Sequence, residues 1–433
     1  MSSSSLNRSA TGVNRWVIAI AAIFLQIVLG AVYAWSVFLK PLAVKYFHVA
    51  TTNLKPAQLS PTNLTFSITI VAVGIVAGFG GVLQRRYGPR AIATVGGLLY
   101  GIGVFLAGFA PNLTLLYLTY GIISGAGTGL AYIVPIAMLL RWFPDRRGLI
   151  TGLAVAGFGL GAAVTGPLSA QLITTLHVGP TLVYLGIAYT IIAVIAAQFF
   201  RAAPDNYRPA GWTAPTTVRS SRTQRDYTLS EALRTPSWYL LWLMLTLDVV
   251  AGAALISVAA PLAQEFVGIG AVAAAFIVLT NSFFNAGGRL FWSWLSESIS
   301  RPYTFLSIFV IQLFAFILLA VLPHPVNYVA LIIVEGFSVL CYGGGFGTMP
   351  AYTADVFGAR NSGAIYGVML TSWSVGSVIG PQLITLVTPR TTALYVIAVL
   401  MLISCILPFI ARLLTRRQNE AEVSAVPAER MSV

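Results

Sequence analysis

Twelve long apolar runs constrain this chain more than any other feature of it. A helix needs roughly 20 mostly apolar residues to cross the hydrocarbon core of a bilayer. Runs of that kind lie at roughly 16–39, 61–84, 91–110, 113–140, 148–173 and 179–200. A second set lies at roughly 236–264, 268–294, 302–322, 325–350, 362–388 and 391–411. Only 9% of the 433 residues are charged, against roughly a quarter in a soluble domain, so lipid has to cover most of the surface. The first run, from Trp16, is too long for a signal peptide and no small-residue cleavage site interrupts it, so it reads as a span. The chain is therefore predicted to be an all-α polytopic membrane protein of about twelve transmembrane helices.

The net charge of +13 would suggest nucleic acid in a soluble protein, but the placement of the charges gives another meaning. With the N-terminus inside, twenty of the 25 Lys and Arg fall on inner segments; Lys40, Lys45, Lys55 and Arg390 fall outside, and Arg289 falls in a span. Basic residues concentrate on the cytoplasmic side of membrane proteins, so the excess is a topology signal. Both termini are expected in the cytoplasm, with the chain in a bacterial inner membrane. The expected organisation is a cytoplasmic tail at 1–15, a six-helix half at 16–200, a cytoplasmic linker at 201–235, a second half at 236–413 and a tail at 414–433. Only Cys341 and Cys405 are present, both in apolar runs, which excludes a disulfide framework and a thiolate metal site. His48, His177 and His324 fall in outer loops without metal spacing, and neither a cofactor nor enzyme activity is expected.

The two halves echo each other. GTGLAYIVPIAMLLRWFPDRRG followed by AVAGFGLGAAVTGP has a counterpart in GGGFGTMPAYTADVFGARNSG followed by TSWSVGSVIGP. Gly166-Pro167 and Gly380-Pro381 close the copies at the same offset from Phe143 and Phe357. Likewise GGVLQRRYGPR after the second run is echoed by GGRLFWSWLSESISRP after the eighth. Internal repeats of this kind build many secondary transporters, which hold substrate between the repeats. The glycine tracts GAGTG and AGFGLG follow no strand, so they read as close helix packing and not as a phosphate loop.

These residues resemble the major facilitator superfamily, with GGVLQRRYGPR looking like its signature between helices 2 and 3. The resemblance implies a major facilitator fold of two pseudo-symmetric six-helix halves. It also implies a gating latch at Gly81, Arg85, Arg86, Gly88 and Arg90, with Glu297 and Arg301 in the second copy. The family's usual acidic position is occupied here by Gln84-Arg85, while Glu297 stands at the corresponding place in the second half. The chain is more closely similar to the oxalate/formate antiporter-like branch, near bacterial monocarboxylate transporters. GAVYAWSVFLKP, AYIVPIAMLLRWFPDRRG, LSEALRTPSWYLLW, NAGGRLFWSWLSE and DVFGARNSGAIYG carry that likeness in order along the chain. It implies a monomer that moves a small carboxylate anion.

Arg289 is the charge left inside a span, about two turns from the cytoplasmic end of helix 8. A charge there costs roughly 2.5–3.5 kcal/mol even on a lenient insertion scale, so it should face a cavity or a partner. A planar guanidinium can hold a carboxylate through two parallel hydrogen bonds, and the resemblance places the family's anion-binding arginine at this position. The bland alternative, which the substrate-binding reading outweighs, is a buried ion pair or snorkelling toward the cytoplasm. Asn285, one turn earlier on the same face, could donate to the substrate. Animal monocarboxylate transporters resemble this segment but carry aspartate there. Of the twelve acidic residues only Asp248 and Glu335 lie well inside spans. A carboxyl in an apolar cavity can exchange a proton near neutral pH, so both are candidate proton carriers, or else structural partners. Tyr33, Tyr132, Tyr342 and Trp373 could wall the site, each offering an apolar face and a polar tip.

Trp373 bears on the substrate. The oxalate exchanger of the resembled branch has a lysine on helix 11 where this chain has Trp373, and no Lys or Arg lies elsewhere in that run. One cation with one bulky ring suits a lactate- or pyruvate-type monocarboxylate better than oxalate. Proton symport is the first expectation for coupling and exchange of two anions the second. A membrane sensor that binds without transporting is a third.

Overall fold

The computed structural model describes residues 14–145, 147–204, 207, 209, 226–323, 325–358 and 361–425. Twelve helices among them are long and apolar enough to cross a membrane. They are α1 Arg15–Phe47, α2 Pro56–Tyr87, α3 Pro89–Gly108, α4 Leu113–Trp142, α5 Arg147–Leu176 and α6 Val178–Gln198. The second six are α7 Pro236–Val267, α8 Ala271–Ile299, α9 Arg301–Val321, α10 Tyr328–Phe357, α11 Ser362–Leu386 and α12 Arg390–Gln418. Lipid offers no hydrogen bonds, so each span satisfies its backbone within its own helix. Caps set several ends: Asn14 accepts from the amide of Trp16, Asn112 from Leu115, and Asn327 from Val329 and Ala330. Proline opens α3 and α7, where a missing N–H costs nothing.

Three boundaries differ from the sequence reading. Lys40 and Lys45 read as the end of the first span, yet α1 continues through both to Phe47. Lys40 Nζ donates to Gln264 Oε1 of α7 at 3.1 Å and Lys45 Nζ to the carbonyl of Ala110 at 2.9 Å, so both ammonium groups are satisfied where they lie. The segment GGVLQRRYGPR is not a loop. It is helical up to Tyr87, and α3 resumes at Pro89, with Gly88 alone between them at φ +83°. That backbone angle favours glycine, because a Cβ would be strained there. α12 also runs past residue 413, where the tail was expected to begin.

Within the halves, α3 packs on α6 and α9 on α12 at the periphery. The halves meet along two seams, α2 against α11 and α5 against α8, and the pseudo-two-fold relation exchanges one seam for the other. Polar contacts join the first seam. Ser60 donates to Gln382 Oε1 at 2.6 Å, Asn63 to Ser257 of α7 at 3.2 Å, and Ser67 to the carbonyl of Ser377 at 2.6 Å. Glycine makes the second seam and the α1–α5 crossing possible. A Cβ on Gly30 would run into the backbone of Phe158, one on Gly161 into Gly30, and one on Gly159 would touch Ala286. The GAGTG and AGFGLG tracts thus serve close helix packing. Phe79, Val164, Trp294 and Phe314 are among the large apolar side chains left exposed, as a lipid-facing surface requires.

Candidate functional site

α8 turns one face inward. Asn281, Asn285, Arg289, Trp292 and Ser296 are buried, whereas Phe283, Leu290, Phe291 and Trp294 are exposed. The i, i+4 spacing of Asn281, Asn285 and Arg289 puts the three polar side chains in a row along that face. Arg289 lies ten residues before the end of α8, nearly three turns and deeper than the sequence reading. Its side chain is 1% exposed. Nε donates to Asn285 Oδ1 at 3.0 Å, and the guanidinium carbon sits 5.2 Å from the centre of the Phe346 ring. Nη1 has no hydrogen-bond partner. The groups interacting electrostatically with Arg289 are the phenols of Tyr33, Tyr132, Tyr342 and Tyr366. Arg15–Asp145, Arg301–Asp355 and Arg390–Glu265 are ion pairs, and among the described residues none joins a carboxylate to Arg289.

The structure gathers the other expected site residues around this cation. Tyr33 of α1 and Tyr342 of α10 share a hydrogen bond of 3.0 Å between their hydroxyls, across the two halves. Tyr132 of α4 and Trp373 of α11 approach with ring centres 5.9 Å apart, again across the halves. Tyr33 lies in a 3-10 turn, Ala31–Ala34, that interrupts α1 where it crosses α5. Two rings that sequence reasoning passed over complete the enclosure. Phe158 touches Tyr33, Tyr132 and Trp373 at 5.3, 5.0 and 5.8 Å. Phe346 touches Tyr342 and Trp373, both at 5.2 Å. A phenylalanine in an apolar run carries no signal, but Phe346 follows Tyr342 by one turn and that spacing could have found it. Trp373 Nε1 is buried with no hydrogen-bond partner.

The buried carboxyls are separated from Arg289. Asp248 Oδ1 accepts from Gln312 Nε2 of α9 at 2.9 Å. A Cβ on Gly345 of α10 would collide with its other oxygen, so Asp248 is held in the α7–α9–α10 packing. Glu335 Oε1 accepts from Asn281 Nδ2 at 2.9 Å, and its Oε2 has no partner. Neither is the structural counter-ion of Arg289.

Among the described residues, the expected latch positions have separate partners. Arg90 bonds Gln198 Oε1 through Nε at 2.8 Å and Nη2 at 2.5 Å, within the first half. Arg86 lies over the Tyr87 ring at 5.3 Å, and Glu297 is exposed on the last turns of α8. Arg301 donates to Asp355 at 3.0 Å and to Ser296. Gly81 and Arg85 lie in α2, with their side-chain surroundings outside the described residues. A bidentate pair that was not anticipated joins Arg15 to Asp145 at 2.6 and 2.9 Å, tying the start of α1 to the end of α4.

Two pseudo-symmetric bundles with the buried, unpaired cation of Arg289 between them suit a transporter built on alternating access. The family model described as Major Facilitator Superfamily matches residues 10–381. The chain belongs to this superfamily. A bacterial homologue of the human lysosomal transporter Spinster, solved inward-facing and unoccupied, superposes with a TM-score of 0.69 at 14% identity, covering 94% of this chain and 98% of that one. At that identity the likeness concerns the fold. Among curated proteins, the chain is 29% identical to the uncharacterized MFS-type transporter YhjX of Escherichia coli, over 84% of this chain and 86% of that protein. It is 27% identical to the oxalate:formate antiporter of Oxalobacter formigenes, over 85% and 83%. It is 26% identical to apicoplast pyruvate carrier 1 of Toxoplasma gondii, over 68% and 63%.

Proposed function

We propose that this superfamily member is a secondary active transporter of small monocarboxylates of the lactate and pyruvate type, coupled to protons. It would act as a monomer in a bacterial inner membrane with both termini cytoplasmic. The observation that carries the reading is the unpaired buried guanidinium of Arg289 between the halves. A buried cation without a counter-ion is costly, and a carboxylate arriving at Nη1 removes that cost. Asn285 holds Nε, Nη1 is left without a partner, and the phenols of Tyr33, Tyr132 and Tyr342 act on the guanidinium. Tyr132, Phe158, Phe346 and Trp373 then enclose an apolar tail, and Tyr33 and Tyr342 supply hydroxyls. One cation and a wall of rings suit one carboxylate better than two. The names of the pyruvate carrier and of the oxalate:formate antiporter support a carboxylate as cargo.

The test is uptake of labelled lactate into proteoliposomes, with and without an inward proton gradient, beside Arg289→Gln. Losing two charge-assisted hydrogen bonds of about 1.5 kcal/mol or more each lowers affinity about a hundredfold. Gradient-stimulated uptake should therefore vanish in the variant. Exchange of loaded oxalate for formate with no lactate uptake would favour the second reading, anion exchange, which the antiporter relative supports. Saturable lactate binding without counterflow would point to a sensor.

A further inference from the structure

Two buried carboxyls stand inside the second half, and the geometry points to one of them. We infer that Glu335 carries the cotransported proton, exchanging it along a polar path through Asn281 and a water-sized cavity that ends at Asn285 and Tyr33. The inference rests on the proton-coupled reading above.

The path is laid out along α8. Asn281, Asn285 and Arg289 succeed one another at four-residue intervals, about 6 Å of axial rise each. Asn281 Nδ2 donates to Glu335 Oε1 at 2.9 Å at one end, and Arg289 Nε donates to Asn285 at 3.0 Å at the other. Between them lies a cavity of about 10 Å³, whose polar lining comes from Tyr33, Asn281, Ser282 and Asn285. That is about the space of one water molecule, and four polar side chains are the company a buried water keeps. The unsatisfied atoms fall along the same line. Asn281 Oδ1, Glu335 Oε2 and Ser338 Oγ are all buried without a hydrogen-bond partner. Ser338 is one turn from Glu335 on α10.

The surroundings of Glu335 decide its charge. It is 0% exposed, and no cation is paired with it among the described residues. The groups that act on it are Asn281 of α8 and the phenol of Tyr328 on α10. An ionised carboxylate sealed there would have one amide hydrogen bond against a large desolvation cost, so the closed protein holds the proton on an oxygen of Glu335. When the halves part, water reaching Asn281 accepts that proton and the carboxylate is solvated. An anion on Arg289 with a proton on Glu335 leaves neither of these two groups with an uncompensated charge in the closed protein. Asp248 lacks this connection: one oxygen accepts from Gln312, the other lies against Gly345 without a hydrogen-bond partner, and Gln312 does not border the cavity as Asn281 does.

The experiment separates coupling from substrate translocation. Proteoliposomes are assayed for lactate counterflow at equal pH and for accumulation driven by an inward proton gradient, with a trapped pH dye reporting proton entry. Glu335→Gln should keep counterflow within about threefold yet accumulate no lactate above equilibrium and admit no proton with it. Asp248→Asn should still accumulate. Accumulation by Glu335→Gln, or its loss in Asp248→Asn with Glu335→Gln unaffected, overturns the inference. Loss of both activities in a folded Glu335→Gln overturns it too. If Glu335→Gln does not fold, Asn281→Leu decides the matter: slowed gradient-driven uptake with counterflow kept supports the path, and unchanged uptake removes it. Absence of counterflow in the unmodified protein would instead sink the monocarboxylate reading itself.

Discussion

In the proposed reading Arg289 and Trp373 divide recognition between them: the guanidinium takes the charge, and the indole bounds the space beside it. Trp373 is 1% exposed and touches Tyr132, Phe158 and Phe346. Trp373→Leu removes most of that wall, so longer tails should enter. Each methylene newly buried contributes about 0.8 kcal/mol, about fourfold in affinity. Four- to six-carbon monocarboxylates should then outcompete lactate by several-fold more than they do in the unmodified protein, in an inhibition series on labelled lactate uptake. An unchanged ranking would remove Trp373 from the tail pocket. The charged and hydroxylated members of the site were legible in the sequence because a polar group in an apolar run needs a reason to be there. Phe158 and Phe346 were not, because an apolar ring in a membrane span looks the same whether it faces lipid, core or cargo. Asn281 was overlooked although it stands two turns before Arg289 on the same face.

Helix crossings hold these side chains in place, and glycine sets how closely they approach. α1 passes α5 with Gly30 and Gly161 in mutual contact, and the same crossing carries Tyr33 and Phe158 into the site. Gly161→Val forces the helices apart, an overpacking cost of about 1–3 kcal/mol. The detergent-solubilised protein should melt several degrees lower, and added lactate should protect it less. Gly363→Ala is the matched control, since a Cβ there meets nothing within 4 Å. Equal melting of the two variants would separate the crossing from the site. Element number and order were legible because twelve hydrophobic runs admit few alternatives. Their ends were less so. Lys40 and Lys45 look terminal in a sequence, but each finds an oxygen acceptor on a neighbouring segment, and α1 continues past both.

The halves move as units only if the contacts between them are breakable. The α2–α11 seam is stitched by short polar contacts, Ser60 to Gln382 and Ser67 to the carbonyl of Ser377, while bidentate Arg15–Asp145 and the Arg301–Asp355 pair each lie inside one half. This division suits rigid halves that rock about a central site: ion pairs stiffen each half, and the halves are joined by uncharged hydrogen bonds of about 1 kcal/mol each and by the single bond from Lys40 to Gln264. A covalent link across the seam should therefore stop turnover without disturbing either half. With Cys341 and Cys405 replaced, Ser60→Cys paired with Gln382→Cys can be bridged by a short bifunctional thiol reagent. Lactate counterflow should fall by more than tenfold on bridging and return on reduction. A bridge between Thr94→Cys and Gln198→Cys, which lie together within the first half, should leave counterflow intact. Full counterflow through the bridged seam would mean that the halves do not separate at this face, and the site would then have to exchange its cargo by a local opening.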